Sequence, residues 1–369
     1  MKASQIYSQR LITIALLAIL FFVTIASQGK NLSMAQLAHL ILAMGAFPLI
    51  FGAMVYFTPT LTRTAPPSGW ICWLPFLAMA TGFIVLIAIS WEPMFVVVAA
   101  PLGILLSSVL LYWMGRQSRK SLGGPHPGLS WYKAAIIFLI FGLTTIFVAY
   151  LNPQWWQALR SVHQQLNLVG FLGLTAIGTL QVFLPTVARY HDPESGKRLE
   201  QHLKFVVIGS VFLAAGAADI AFCNEIGRMV WLIPLIAIIK SIWRQRRGIK
   251  NPSGAAVSLF GALFGFTGLI VLDGITNLHY LFCFFLFPLV SGALSHLLPL
   301  WKWPGHSIAK REAGQYFLAR RGALRLLFFY IAGVISVWSR EWGGGLAGLV
   351  VLFFAGELLW LLFVIKDAD

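Results

Sequence analysis

Three histidines stand where they can do chemistry together. His39 and His279 each lie 20 residues before a proline, Pro59 and Pro299, and 13 before a glycine, Gly52 and Gly292. His163 leads a third copy of the pattern, 22 residues before Pro185, and the residue in phase with the other two histidines there is Gln165. At about 1.5 Å per helical residue, 20 residues span about 30 Å, roughly the hydrocarbon thickness of a bilayer. His39 and His279 therefore share one depth and one rotational phase near the far end of their helices. Two imidazoles so placed can ligate one haem iron axially, with the porphyrin standing between the helices. The alternative is ordinary: polar side chains gather at helix ends, where water reaches them.

The elements that must position these residues are three versions of one apolar run, His39 to Arg63, His163 to Arg189 and His279 to Lys302. In each, a proline follows the glycine by seven residues (Gly52 to Pro59, Gly178 to Pro185, Gly292 to Pro299), and a basic residue comes soon after. Seven residues is close to two helical turns, so glycine and proline share a face. Glycine permits close helix approach, and proline bends or ends the helix. The prolines are 126 and then 114 residues apart. Solenoid periods are about 20 to 50 residues, so this spacing indicates three similar blocks, about 1–120, 121–250 and 251–369, within one transmembrane domain spanning 1–369.

Composition sets the class. Apolar residues make up 59% of the chain and charged residues 11%, with a mean hydropathy of +0.81. An ordinary soluble domain is about a quarter charged. Twelve apolar runs are long enough to cross a bilayer, at 11–27, 36–58, 69–91, 94–114, 131–151, 163–187, 203–223, 228–243, 254–272, 276–299, 322–339 and 343–365. The expected fold is all-α and integral to the membrane, with the histidine-led run second in each block of four. With both termini inside, all but four of the 27 basic residues fall on the inner side; the exceptions are Lys30, Arg160, Arg228 and Arg340. That bias fits the positive-inside rule and accounts for the net charge of +15. The basic residues are spread over many short loops, which excludes a nucleic-acid-binding face. The first run, although it has the look of a signal peptide, is taken as the first helix. The expected location is multi-pass in a bacterial inner membrane, with the lipid bilayer as the first partner.

Other residues carry weaker signals. Asp219, in the outer half of run 203–223, and Glu357, well inside the last run, are acids expected in hydrocarbon. Such groups usually face a cavity or a partner, and for Glu357 the expected state is a protonated carboxyl bonded to a neighbouring helix. His126, His191, His202 and His306 fall on inner loops or helix edges and are expected to be solvated, and His296 belongs to no outer cluster. Trp91, Trp155, Trp156, Trp338 and Trp342 fit an interfacial aromatic belt. Cys72, Cys223 and Cys283 are too few for a disulfide framework.

Twelve helices in three four-helix blocks, with histidines near the outer ends of the second, sixth and tenth, resemble the catalytic subunit of the haem-copper oxidases and its relatives, among them the NnrS-like membrane proteins. The stretch HQQLNLVGFLGLTAIGTLQVFLPT, from His163, is similar to the histidine-led, glycine-rich helices of the NnrS-like group. The resemblance implies that His39 and His279 hold a low-spin haem b and that His163 stands for a copper ligand. It also implies a link to nitric oxide stress or electron transfer. Two departures argue against an intact oxygen-reducing centre. Asn277 occupies the place of the first histidine in the family's His-x-His, and run 203–223 has no histidine pair for copper. A redox partner or another membrane subunit would supply what is absent. Two other readings remain open on the sequence, a secondary transporter and an assembly protein without cofactors.

Overall fold

The computed structural model describes residues 3–27, 32–246, 249, 252–305 and 308–364; Lys30, Arg247 and His306 lie outside them. Among the described residues, twelve helical spans are long and apolar enough to cross a membrane. They are α1 Gln5–Ala26, α2 Met34–Thr62, α3 Gly69–Ser90, α4 Pro93–Arg119, α5 Gly128–Leu151, α6 Pro153–Val187, α7 Ser195–Gly216, α8 Cys223–Gln245, α9 Gly254–Val271 and α10 Leu278–Lys302. The last two are α11 Gly322–Trp338, preceded by a short helix Ile308–Ala319, and α12 Arg340–Phe363. The fold is a multi-pass membrane bundle, and no strand occurs among the described residues.

Two of the histidine-led helices, α6 and α10, are the most buried of the twelve spans, and α2 packs against both. Buried residues make up 89% of the most apolar window of α6 and 78% of that of α10, against 33% for α4, α5, α7 and α8. The three touch one another pairwise through rings: Phe57 with Phe183 (6.2 Å between centroids), Tyr56 with Trp301 (5.8 Å) and Phe183 with His296 (5.5 Å). Each motif glycine meets the helix before its own. A Cβ on Gly52 would lie 2.8 Å from Leu11 of α1, one on Gly178 2.9 Å from Trp131 of α5, and one on Gly292 2.9 Å from Leu259 of α9. The face shared by glycine and proline is thus used for the same close packing three times.

A feature not expected from the sequence recurs with it. Each of α2, α6 and α10 opens into a π-helical segment: Leu40–Ala46, Leu166–Gly173 and Leu281–Leu286. Their first residues lie 19, 19 and 18 positions before the motif prolines. In α2 and α10 the cause is local. Pro48 and Pro288 follow the π segments by two residues and lack the N–H that an α-helical ladder needs. In α6 no proline stands there, and Gly170 and Gly173 lie within the segment. The i→i+5 bonding makes a wider turn, so the depth of His39 and His279 is less than a straight helix would give.

Loop contacts sort the bundle into two ends. At the basic end, the His126 N–H donates to Leu61 O (2.8 Å) and Lys302 Nζ donates to Leu361 O (2.7 Å). At the other, the histidine end, Gln36 Nε2 donates to Ser90 Oγ (3.0 Å) and Asn224 Nδ2 to Asp273 Oδ2 (3.1 Å). The basic end is not uniformly solvated. Arg198 is buried against Asp192 (2.6 Å) and donates to Gln181 Oε1 of α6 (3.1 Å). Arg325 of α11 is 2% exposed; it pairs with Glu357 (2.6 Å) and donates to Ser295 Oγ of α10 (3.1 Å). Gln181 and Ser295 both lie three residues after their motif glycines. Two buried arginines therefore grip the same position of the template.

Glu357 is bonded to a neighbouring helix, as expected, but to guanidinium groups, Arg325 and Arg321 (3.2 Å). It is an ion pair rather than a lone carboxyl. Asp219 departs further from expectation. Helix α7 ends at Gly216, and Asp219 sits exposed in the following turn with φ 63°. Run 203–223 begins and ends too late because the polar first turns of α7, from Ser195, are not apolar enough to be read as helix. Asp219 is therefore not an acid in hydrocarbon.

Removing one member of the Arg325–Glu357 pair leaves a buried charge poorly compensated. Arg325→Met should cost about 3 kcal/mol or more, and the double variant R325M/E357L should recover most of it. Thermal unfolding in detergent reads both. A second expectation concerns pH. Burial and the nearby Arg63 hold His126 below the ordinary histidine value, while its Nδ1 accepts the Gly128 N–H (3.1 Å). A lowered folded-state value contributes stability above about pH 6.5 that is lost as pH falls below it. The melting temperature should drop on mild acidification, and His126→Asn should flatten that slope.

Candidate functional site

At the histidine end, the template places a polar residue just before each π segment: His39, Gln165 and His279. π-helical segments are frequent at functional sites because they re-aim side chains. His39 Nδ1 lies 2.8 Å from Ala35 O, and His163 Nδ1 lies 2.7 Å from Gly142 O of α5. A ring nitrogen that donates to a carbonyl oxygen leaves Nε2 as the lone-pair donor, the tautomer the Ala35 carbonyl favours for His39; His163 Nδ1 also has Asn167 Nδ2 at 3.2 Å. A metal-ligating histidine almost always donates its other N–H in this way. Asn167 steadies the second ring's backbone, donating to His163 O (2.7 Å) from one turn on. Both imidazoles have protein packed around them, yet keep part of their surface accessible.

His279 differs. Its side chain is 1% exposed, and neither ring nitrogen has a hydrogen-bond partner. Gln165, 6% exposed, has an equally unpartnered Oε1. A buried polar group without a partner costs about 1–3 kcal/mol. Two such groups at equivalent template positions are therefore costly unless something bonds to them. Asn277 does not face His279 as a second ligand. Its Oδ1 caps α10, accepting from the N–H groups of His279 (3.1 Å) and Tyr280 (3.4 Å), and so sets where the His279 turn begins.

His39 and His163 lie within electrostatic range of each other, with Arg160 near both. Arg340, the first residue of α12, is the cation in range of His279. Between α2 and α10 at the level of the π segments stands Phe22 of α1. Its ring is edge-on to Phe282 (5.6 Å) and Phe287 (6.1 Å), and a Cβ on Gly45 would lie 2.6 Å from it. Among the described residues, no group of three or more His, Cys, Asp or Glu side chains is able to hold a metal ion. Glu357 lies on the α11–α12 pair and Asp219 in its exposed turn, each held by a different part of the bundle from the imidazoles.

Several expected details are in place. Trp91, Trp155, Trp156, Trp338 and Trp342 are exposed. Cys72 and Cys283 are buried free thiols. His296, instead of standing alone, lines a cavity of about 290 Å³ among α2, α5, α6 and α10, beside the Tyr132–Thr179 hydroxyl pair (2.9 Å). Sequence reasoning passed over Asn167, although its spacing of four residues from His163 is the signal for a same-face contact. No family model matches this sequence, and no curated protein matches it.

Asn277→Ala should cost about 1 kcal/mol through the lost cap, whereas Asn277→Asp, which keeps the acceptor, should stay near the parent. Thermal unfolding of the two variants measures the difference.

Proposed function

We propose that this chain is a haem-binding membrane protein built on the plan of the haem-copper oxidase subunit, in three four-helix units with both termini on the basic side. The observation that carries the reading is His279, a fully buried imidazole with both nitrogens unpartnered, at the template position that His39 occupies in the first unit. The recurring π segments and the threefold glycine packing support the division into three units. The bias of basic residues to one end supports the orientation and a bacterial inner-membrane location. His39 and His279 would hold haem b, His39 through Nε2. Haem held by two imidazoles would supply one-electron transfer, and a diatomic gas such as nitric oxide would bind only where one imidazole gave up its position.

The protein's own part is to keep the imidazoles neutral and aimed. Ala35 O orients His39, Asn277 fixes the turn that carries His279, and Phe22 closes the floor between α2 and α10. Copper at His163 has less behind it, since His163 has His39 in range and the described residues gather no set of three ligands. Phe22 also favours a second reading, a cofactor-free assembly protein whose core is completed by side chains alone.

One spectrum separates them. Protein purified from haem-replete cells should show a reduced-minus-oxidised low-spin b-type difference signal, lost in both His39→Ala and His279→Ala and kept in His163→Ala. Metal analysis of His163→Ala against the parent tests copper. A colourless parent, folded by size exclusion, would rule out haem and leave the assembly reading.

A further inference from the structure

The three basic residues that follow the motif prolines are used differently. Arg63 and Arg189 adopt the same left-handed turn, with φ 52° and 54°, and in both the next N–H returns to the motif proline's carbonyl (3.0 Å). Arg189 then reaches Glu312 (3.4 Å), and Lys302 caps α12 through the carbonyls of Leu361 and Leu362. Among the described residues no acid pairs with Arg63; its Nη1 donates to Leu122 O (3.3 Å), and the residue lines a cavity of about 430 Å³. Lys120, which follows the last residue of α4, lines the same cavity, and no acid pairs with it among the described residues. Thr64, Ser68 and Gln117 add hydroxyl and amide donors, and none of the lining residues is acidic. Trp113 forms part of the wall, and exposed Trp70 and Trp73 stand on the next helix, α3.

We infer that this cavity binds the phosphate of an anionic phospholipid in the leaflet at the basic end. Two cations free of carboxylates make charge-assisted bonds to a phosphodiester, and neighbouring hydroxyls complete its shell. Basic pockets between helices on that side of a membrane take such headgroups. Exposed tryptophans mark headgroup depth, which favours a lipid over a soluble phosphate. The volume lies in the range of small-ligand sites, so it admits the phosphate together with a small polar headgroup.

Native mass spectrometry of the 369-residue chain, released from detergent and titrated with phosphatidylglycerol or phosphatidylcholine of matched chains, tests it. The parent should prefer phosphatidylglycerol by about tenfold or more, and R63Q/K120Q should abolish that preference. K120Q alone replaces an exposed side chain and should cost about fivefold, which keeps the test valid if the double variant unfolds. Arg119→Gln, an exposed charge outside the cavity, should change affinity by less than about twofold. Equal binding by parent and K120Q, or an equal loss in R119Q, would overturn the site. Displacement of the lipid by millimolar inorganic phosphate would assign the cavity to a soluble ion and overturn the lipid.

Discussion

Hydrocarbon offers no water to a peptide group, so each crossing segment must satisfy its own backbone, and that requirement shapes everything else in this bundle. It makes twelve segments helical whatever their side chains. It also makes any break in the α-helical ladder costly, which gives the three π segments their interest. Pro48 and Pro288 remove donors within the apolar span, and the wider π turn is the local answer. The break occurs at one level in each of the three central helices, next to the polar residues at the histidine end. The same irregularity that relieves the backbone also re-aims those side chains.

The second constraint is charge. A guanidinium in a low-dielectric interior is tolerated only when paired and fully bonded. Arg198 and Arg325 are paired with Asp192 and Glu357, although Arg325 Nε is left without a partner, and each also holds the template residue three beyond the motif glycine. The pairs thus lock α7 onto α6 and α11 onto α10 at the basic end. In the first block the matching residue is Val55, which is buried without a charge, and Tyr7 reaches the motif glycine's carbonyl instead (2.9 Å). The three histidine-led helices therefore share glycine packing but differ in how their basic ends are fastened.

Both ends also hold buried polar atoms without partners: Gln165 Oε1 and both ring nitrogens of His279 at the histidine end, and Ser121 Oγ, His202 Nδ1 and Arg325 Nε at the basic end. What sets the histidine end apart is that its unpartnered atoms stand at equivalent positions of the repeated template, with an imidazole among them, and the functional reading rests on that imidazole, His279.

The sequence alone determined the class of fold, because helix length and apolar content answer directly to bilayer thickness. Its spacing of His39, Gly52 and Pro59, repeated twice, also predicted which faces pack, since two helical turns separate glycine and proline. The Phe-Pro pairs after the π segments were readable too, although their consequence was not. Glu357's partners, the burial of Arg198, the place of Asp219 beyond the end of α7 and the Phe22 ring between α2 and α10 were decided only by tertiary structure. Each depends on which helices become neighbours, and nothing in local spacing encodes that. Periodicity fixes the phase of a side chain on its own helix, whereas its partner is set by the packing of the whole bundle.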